Sequence, residues 1–153
     1  MKFVKAKIED AKRCNYLIRN SIQTNAKNTQ KELSAILKNN SVTCLKQKFL
    51  EKERNSYLLL DKEFLIGYVA FKDNEVLSLY VAKRFQNKGF GRKILFFIEK
   101  KIRKKGFRNV KLESSLSARD FYEKQGYKVL SNSTHKTPFG NIRCFLMKKS
   151  FSQ

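Results

Sequence analysis

The chain has 153 residues and carries 34 Lys and Arg against 13 Asp and Glu, a formal net charge of +21. The length fits one domain spanning residues 1–153, and a hydrophobic content of 41% with 12% aromatics argues against a disordered chain. No apolar run reaches membrane-spanning length, the start Met1-Lys2-Phe3-Val4-Lys5 leads into alternation and not into a signal peptide, and Cys14, Cys44 and Cys144 form no C-x-x-C pair. With His135 as the lone histidine, no metal site or disulfide framework is expected, and the chain reads as reduced and cytoplasmic.

Lys2 to Ile8 alternates, with Val4, Ala6 and Ile8 toward a core, and predicts a first strand. Asp10 is placed to cap a helix whose apolar face is Ala11, Cys14, Leu17, Ile18 and Ile22. Gln23 to Asn28 is polar and loop-like. Thr29 with Glu32 three residues on is a capping-box pattern, opening a short helix with Leu33, Ile36 and Leu37. Asn39-Asn40-Ser41 breaks that helix, and Val42 to Lys52 makes a further short helical piece with Leu45, Phe49 and Leu50 on its apolar side.

Tyr57 to Leu60 and Glu63 to Phe71 read as a hairpin closed at Asp61-Lys62, with Gly67 marking a bulge or a close approach. After a turn at Asp73-Asn74, Glu75 to Val81 is a third strand with Leu77, Leu79 and Val81 on one face. A helix over Gly89 to Lys105, stopped by Gly106, leads to a strand over Arg108 to Glu113, which implies a parallel return. Ser114 to Gln125 then predicts a helix stopped by Gly126. Tyr127 to Leu130 is a strand, Ser131 to Gly140 a polar loop, and Asn141 to Lys148 the last strand.

The strand ending at Val81 feeds a charged turn, Gln86-Asn87-Lys88-Gly89-Phe90-Gly91-Arg92, that opens directly into a helix. Glycines there admit a ligand close to the backbone, and the unpartnered N–H groups of a first helical turn suit an anion such as phosphate. The spacing fits neither G-x-x-x-x-G-K-[ST] nor G-x-G-x-x-G. What remains, Gln86-x-x-Gly89-x-Gly91, resembles the acetyl-CoA pyrophosphate loop of the GNAT-type N-acetyltransferases. A second stretch, Ser115-Leu116-Ser117-Ala118-Arg119-Asp120-Phe121-Tyr122-Glu123-Lys124-Gln125-Gly126-Tyr127, resembles the other signature of that family, N/S-x-x-A-x-x-x-Y-x-x-x-G-F/Y. Ser115 stands at its first position, and Ser117 where many relatives carry Asn.

The resemblance implies an α/β fold with a mixed, mostly antiparallel sheet, a parallel pair opened as a V, and helices on both faces. It implies acetyl-CoA as cosubstrate, its pantetheine arm on the backbone of Leu79, Tyr80 and Val81 and its pyrophosphate on the N–H groups from Asn87 to Arg92, with Lys88 and Arg92 adding charge and Ser117 and Ala118 lining the arm. Aminolysis of a thioester needs a free amine, a stabilised oxyanion and a protonated leaving thiolate. Tyr122 is the expected proton donor, and an N–H near Tyr80 or Val81 the expected oxyanion donor. Glu113 is the first candidate for the base, Glu75 the second, and His135 is placed to act as a base or to bind the acceptor.

The expected reaction moves acetyl from acetyl-CoA to a primary amine. An RNA-bound or ribosomal acceptor, or a CoA- or nucleic-acid-binding module without catalysis, are the alternatives that the charge raises. Lysines outnumber arginines and occur in every region, which favours a solvated coat over a dedicated nucleic-acid surface. A monomer or homodimer without membrane attachment is expected.

Overall fold

The computed structural model describes residues 1–22 and 27–152. Its elements run β1 (Lys2–Lys5), α1 (Ala11–Ile22), α2 (Gln30–Asn39), α3 (Val42–Leu50), β2 (Asn55–Asp61), β3 (Phe64–Lys72), β4 (Glu75–Val81), α4 (Phe90–Lys104), β5 (Asn109–Ser114), α5 (Arg119–Lys124), β6 (Lys128–Thr137) and β7 (Gly140–Ser150). The seven strands form one sheet in the order β1-β2-β3-β4-β5-β7-β6. Every pairing is antiparallel except β4 with β5.

Strand alternation sends side chains to two apolar layers. On one face Val69, Phe71 and Val76 pack with Ile94, Leu95, Ile98 and Ile102 of α4 and with Tyr122 of α5. On the other, Leu58, Tyr68 and Ala70 pack with Ala11, Cys14, Leu17 and Ile18 of α1 and Leu45 of α3. Gly67 lies beside a bulge, since Leu59 pairs with Gly67 and Leu60 with Leu65. A Cβ at Gly67 would overlap Ile94 Cδ1 and stand 3.0 Å from the Tyr80 carbonyl, so the glycine lets α4 come down on the sheet.

The parallel pair is short. Only Glu75 with Lys111 and Val76 with Leu112 are in register, after which the strands part. The base is pinned by the Lys111 N–H to the Asn74 carbonyl at 3.0 Å and by Asn74 Nδ2 to Asn109 Oδ1 at 2.8 Å. A second bulge sharpens the parting. Ala70 pairs with Ser78 but Phe71 pairs with Val76, which leaves Leu77 as the extra residue.

Several expectations need correction. Leu77 is not on the core face with Leu79 and Val81; as the bulge residue it is 37% exposed, and Val76 takes the core position. The first strand stops at Lys5, because the Asp10 carboxylate accepts the Lys7 N–H at 2.8 Å and winds Ile8–Asp10 into a 3-10 turn with Ile8 exposed. Asp10 therefore shapes the turn before α1 and does not cap α1 itself. The helix expected from Ser114 shrinks to Arg119–Lys124, since Ser114 belongs to β5 and donates from Oγ to the Ser115 carbonyl. The polar stretch expected as a loop over Ser131 to Gly140 is the second half of β6, paired with β7 as far as Thr137 with Gly140; its polarity reflects a ribbon reaching past the core.

The Thr29–Glu32 capping box is present with both bonds made, and Ser41 caps α3 by accepting from Cys44 N–H. Leu50, expected on the apolar side of α3, is 65% exposed beyond the layer that Leu45 and Phe49 fill. Of the expected loop Gln23 to Asn28, residues 23–26 lie outside the described residues.

Candidate active site

The parted strands leave one edge of β4 without a partner. The Ala82 N–H donates to the Ile66 carbonyl at 2.8 Å, and alternation from that bond turns the peptide groups of Tyr80 and Ser78 toward β3. Those of Leu79 and Val81 face the open V. Of the three residues expected to present their backbone there, Tyr80 does not; its contribution is its side chain. Gln86 Nε2 donates to the Val81 carbonyl at 3.0 Å and so ties the loop back to the strand.

The loop that follows turns twice through the left-handed region, at Asn87 (φ 60°) and at Gly89 (φ 87°). Among the described residues no N–H from Asn87 to Arg92 donates to a protein acceptor, and Gly89 gives α4 no side-chain cap. Six successive N–H groups thus stand at the positive end of a 15-residue helix, with the Lys88 and Arg92 side chains exposed beside them. The two glycines have different reasons. Gly89 adopts a backbone conformation that side chains disfavour, with open space around it, whereas a Cβ at Gly91 would stand 3.2 Å from the Phe121 ring. The second glycine thus brings the start of α4 against α5.

On α5, Tyr122 is 7% exposed, its ring edge-on to Phe121 at 5.1 Å and to Tyr127 at 5.6 Å. Its hydroxyl has no hydrogen-bond partner among the described residues. Burial, and then the Tyr80 phenol, push its pKa up, so it stays protonated and able to donate at neutral pH. Ala118 packs at the edge of the core where α5 begins, and Ser117 is exposed.

On the other side of the sheet, α2, the end of α3, β4, β5 and the β6–β7 ribbon enclose a cavity of about 310 Å³. Glu75, Glu113 and His135, which are far apart in sequence, all line it. His135 Nδ1 lies 3.1 Å from Glu113 Oε1, and the Cys144 thiol donates to Glu113 Oε2 at 3.3 Å. Burial and then Glu113 push the Cys144 thiol up to about 12, so it remains a thiol.

Residues that the sequence did not single out complete the walls: Lys48, Arg54, Ser78, the Tyr80 side chain, Asn40 and Arg143. Burial, and the neighbouring Tyr68 phenol, raise Tyr80 to about 12, with Asn40 beside its hydroxyl. Glu32 anchors α2 to β7: it accepts from Arg143 Nε at 3.0 Å, Arg143 Nη2 at 2.9 Å and Arg143 N–H at 2.9 Å, and Arg143 in turn holds its carboxyl well below the usual range. The capping box gave a signal for Glu32 as a helix start, but not for this second duty.

A separate depression of about 470 Å³ runs along the outside of α4 from Gly89 past Phe96 to Lys149. Glu99 lies in its wall, bonded by the Tyr127 hydroxyl at 2.7 Å and by Lys149 Nζ at 3.2 Å. No group of three His, Cys, Asp or Glu among the described residues is arranged to hold a metal, and no described helix is long and apolar enough to cross a membrane.

A mixed sheet opened between one parallel pair, an unpartnered strand edge and a helix that begins in free N–H groups together define a nucleotide-thioester transferase fold. The family profile described as an acetyltransferase (GNAT) domain matches residues 20–151, and the chain belongs to that family of acetyl-CoA-dependent acetyltransferases. Solved structures agree on the fold. A GCN5-related N-acetyltransferase from Rhodopseudomonas palustris superposes with a TM-score of 0.88 at 18% identity, covering 98% of this chain and 95% of its own. PaiA N-acetyltransferase from Thermoplasma acidophilum, solved with coenzyme A, gives 0.80 at 24% identity over 98% of each chain. YncA from Salmonella typhimurium, solved with acetyl-CoA, gives 0.68 at 16% identity over 100% and 95%. A search of curated proteins finds no match.

Proposed function

We propose that the protein transfers acetyl from acetyl-CoA to the primary amine of a small acceptor, with the two substrates entering the V from opposite faces of the sheet. The observation that carries this reading is the pairing of an unpartnered β4 edge and its six free N–H groups on one side with a small, carboxylate-lined cavity on the other.

The pyrophosphate suits the N–H groups of Asn87 to Arg92, with Lys88 and Arg92 completing its charge balance. The pantetheine amides pair with Leu79 and Val81 as an added strand, and Ala118 and Ser117 border the arm. The amine nitrogen attacks the thioester carbonyl, and the oxyanion takes the Val81 N–H, which faces the V. Collapse breaks the C–S bond, and the departing thiolate takes a proton from the Tyr122 hydroxyl. The ammonium proton of the acceptor leaves to Glu113, whose carboxylate is set between His135 and Cys144. Glu75 lines the same cavity as a second acceptor of that proton.

The charge of +21 is not needed for this chemistry. Lysines of α4 and its C-cap cover aromatics of this layer, as Lys101 does over Tyr57 and Phe97 and Lys105 over Phe71, which supports a packing role for part of it. Calorimetry with acetyl-CoA, joined to release of CoA thiol with an amine panel, tests the reading. Micromolar binding and amine-dependent thiol release are expected; absence of both would overturn it.

A further inference from the structure

We infer that the acceptor is a small zwitterion, its amine directed to Glu113 and a separate anionic group held by Lys48 and Arg54. The inference rests on the acetyl-transfer reading and narrows its acceptor.

Lys48 and Arg54 line the same cavity as Glu75 and Glu113. Both are partly buried, and they lie close enough for Arg54 to disfavour the Lys48 charge. Other largely buried charges of the chain are paired: Glu32 with Arg143 and Glu99 with Lys149. Lys48 and Arg54 are not, since no described carboxylate lies within ion-pair range of either. Two adjoining cations partly withdrawn from water without an ion-pair partner are costly, and an incoming anion lowers that cost.

The geometry presents the pair to a ligand. Arg54 Nη2 donates to Tyr68 Oη at 3.1 Å and to Ser78 Oγ at 3.3 Å, which fixes the guanidinium plane. Its Nε is buried without a partner, and Nη1 makes no bond to a described residue. Lys48 Nζ is held by the Asn39 carbonyl at 2.8 Å, with two further hydrogens unused. Ser78 is one residue from Leu79 on β4, so the anion end lies near the reaction centre. A cavity of about 310 Å³ is at the small end for ligand sites, which limits the acceptor to a short molecule. The cavity therefore carries both signs of charge, carboxylates to take the proton of the amine and cations for an anionic group. A diamine would place its second ammonium against Lys48 and Arg54.

A carboxylate and a phosphate monoester share this chemistry. The test compares ω-amino acids of two to six carbons with their amides, with diamines and with aminoalkyl phosphates, by CoA-thiol release. The best acid or phosphate is expected to exceed its neutral counterpart at least tenfold in kcat/KM, and whichever anion leads names the group. Lys48→Met and Arg54→Gln are expected to reduce that preference at least tenfold, with Arg54→Lys retaining part of it. Amides or diamines equal to the acids and phosphates would overturn the inference. If no amine is acetylated, the acetyl-transfer reading fails separately. The anion preference is then read by calorimetry with N-acetyl ω-amino acids and their amides, where tighter binding of the acid supports the site and equal binding overturns it.

Discussion

On the α4 side the V offers peptide groups; on the side of α2 and the β6–β7 ribbon it offers side chains. The first surface comes from one continuous stretch, Leu79 to Arg92, and depends on backbone direction: a strand edge, two left-handed turns and a helix start. The second gathers Lys48, Arg54, Glu75, Glu113 and His135 from separate parts of the chain. In the proposed reading the backbone recognises the cosubstrate that the family uses, a thioester carrier with a pyrophosphate. Side chains, which change one at a time without disturbing the sheet, are where acceptor choice can vary.

The contrast breaks most sharply at Tyr122, a side chain in the layer on the α4 side. Tyr122→Phe keeps the ring contacts with Phe121 and Tyr127 and removes only the hydroxyl. kcat is expected to fall by ~10²-fold or more while the Kd for CoA stays within about twofold, measured by steady-state turnover and calorimetry. Turnover at the wild-type rate would leave the tyrosine a packing residue.

Next in size is the loop. Gly89→Val forces a β-branched residue into φ 87° without any steric neighbour, so its effect reads the backbone alone. The Kd for CoA is expected to rise at least about tenfold, or ~1.4 kcal/mol, whereas Gly89→Asn, which tolerates the left-handed region, should lose clearly less. Equal losses would mean that the loop's turn is not what binds.

On the acceptor side, pH separates the two surfaces. Burial first, and Arg54 second, push Lys48 down to about 8, against smaller opposing effects of Cys44 and Glu51. The unfolded chain then holds more protons than the folded one between pH 8 and the ordinary lysine value near 10.5. Stability from this group rises with pH across that window, and its penalty is fully present below pH 8. Wild type is expected to gain thermal stability relative to Lys48→Met from pH 8 to 10, checked by paired melts; parallel curves would show Lys48 to be solvated. The smallest effect is expected from Thr29→Ala, which removes the α2 cap at a cost of ~1 kcal/mol, seen in denaturant titration, and loosens the acceptor wall without touching CoA affinity.

The same division explains what the sequence made legible. The turn at Gly89 and the close approach at Gly91 could be read because a strand–turn–helix loop needs glycines at fixed short spacing. The hairpin of β2 and β3, the exact span of β4 and the Thr29–Glu32 box followed from local alternation and capping. Lys48 and Arg54 could not be found this way, since among so many basic residues only tertiary burial distinguishes them. The Glu113–His135 contact depends on β6 running on to Thr137, and that polar strand is held by pairing with β7 and not by an apolar pattern. Leu77 misled because a bulge interrupts the period of two.

That bulge acts on β4 as a shift of reading frame. One surplus residue reverses the parity of everything after it, so Val76 and Leu79, three apart, share a face, while Ser78 and Tyr80 turn to the acceptor. Deleting Leu77 would leave Val76, Ser78, Leu79, Tyr80 and Val81 in plain alternation on the faces they hold now, so the surplus residue serves the bend of the strand and not the choice of face. A single leucine without a partner on β3 thus bends β4 at the point where it parts from β5.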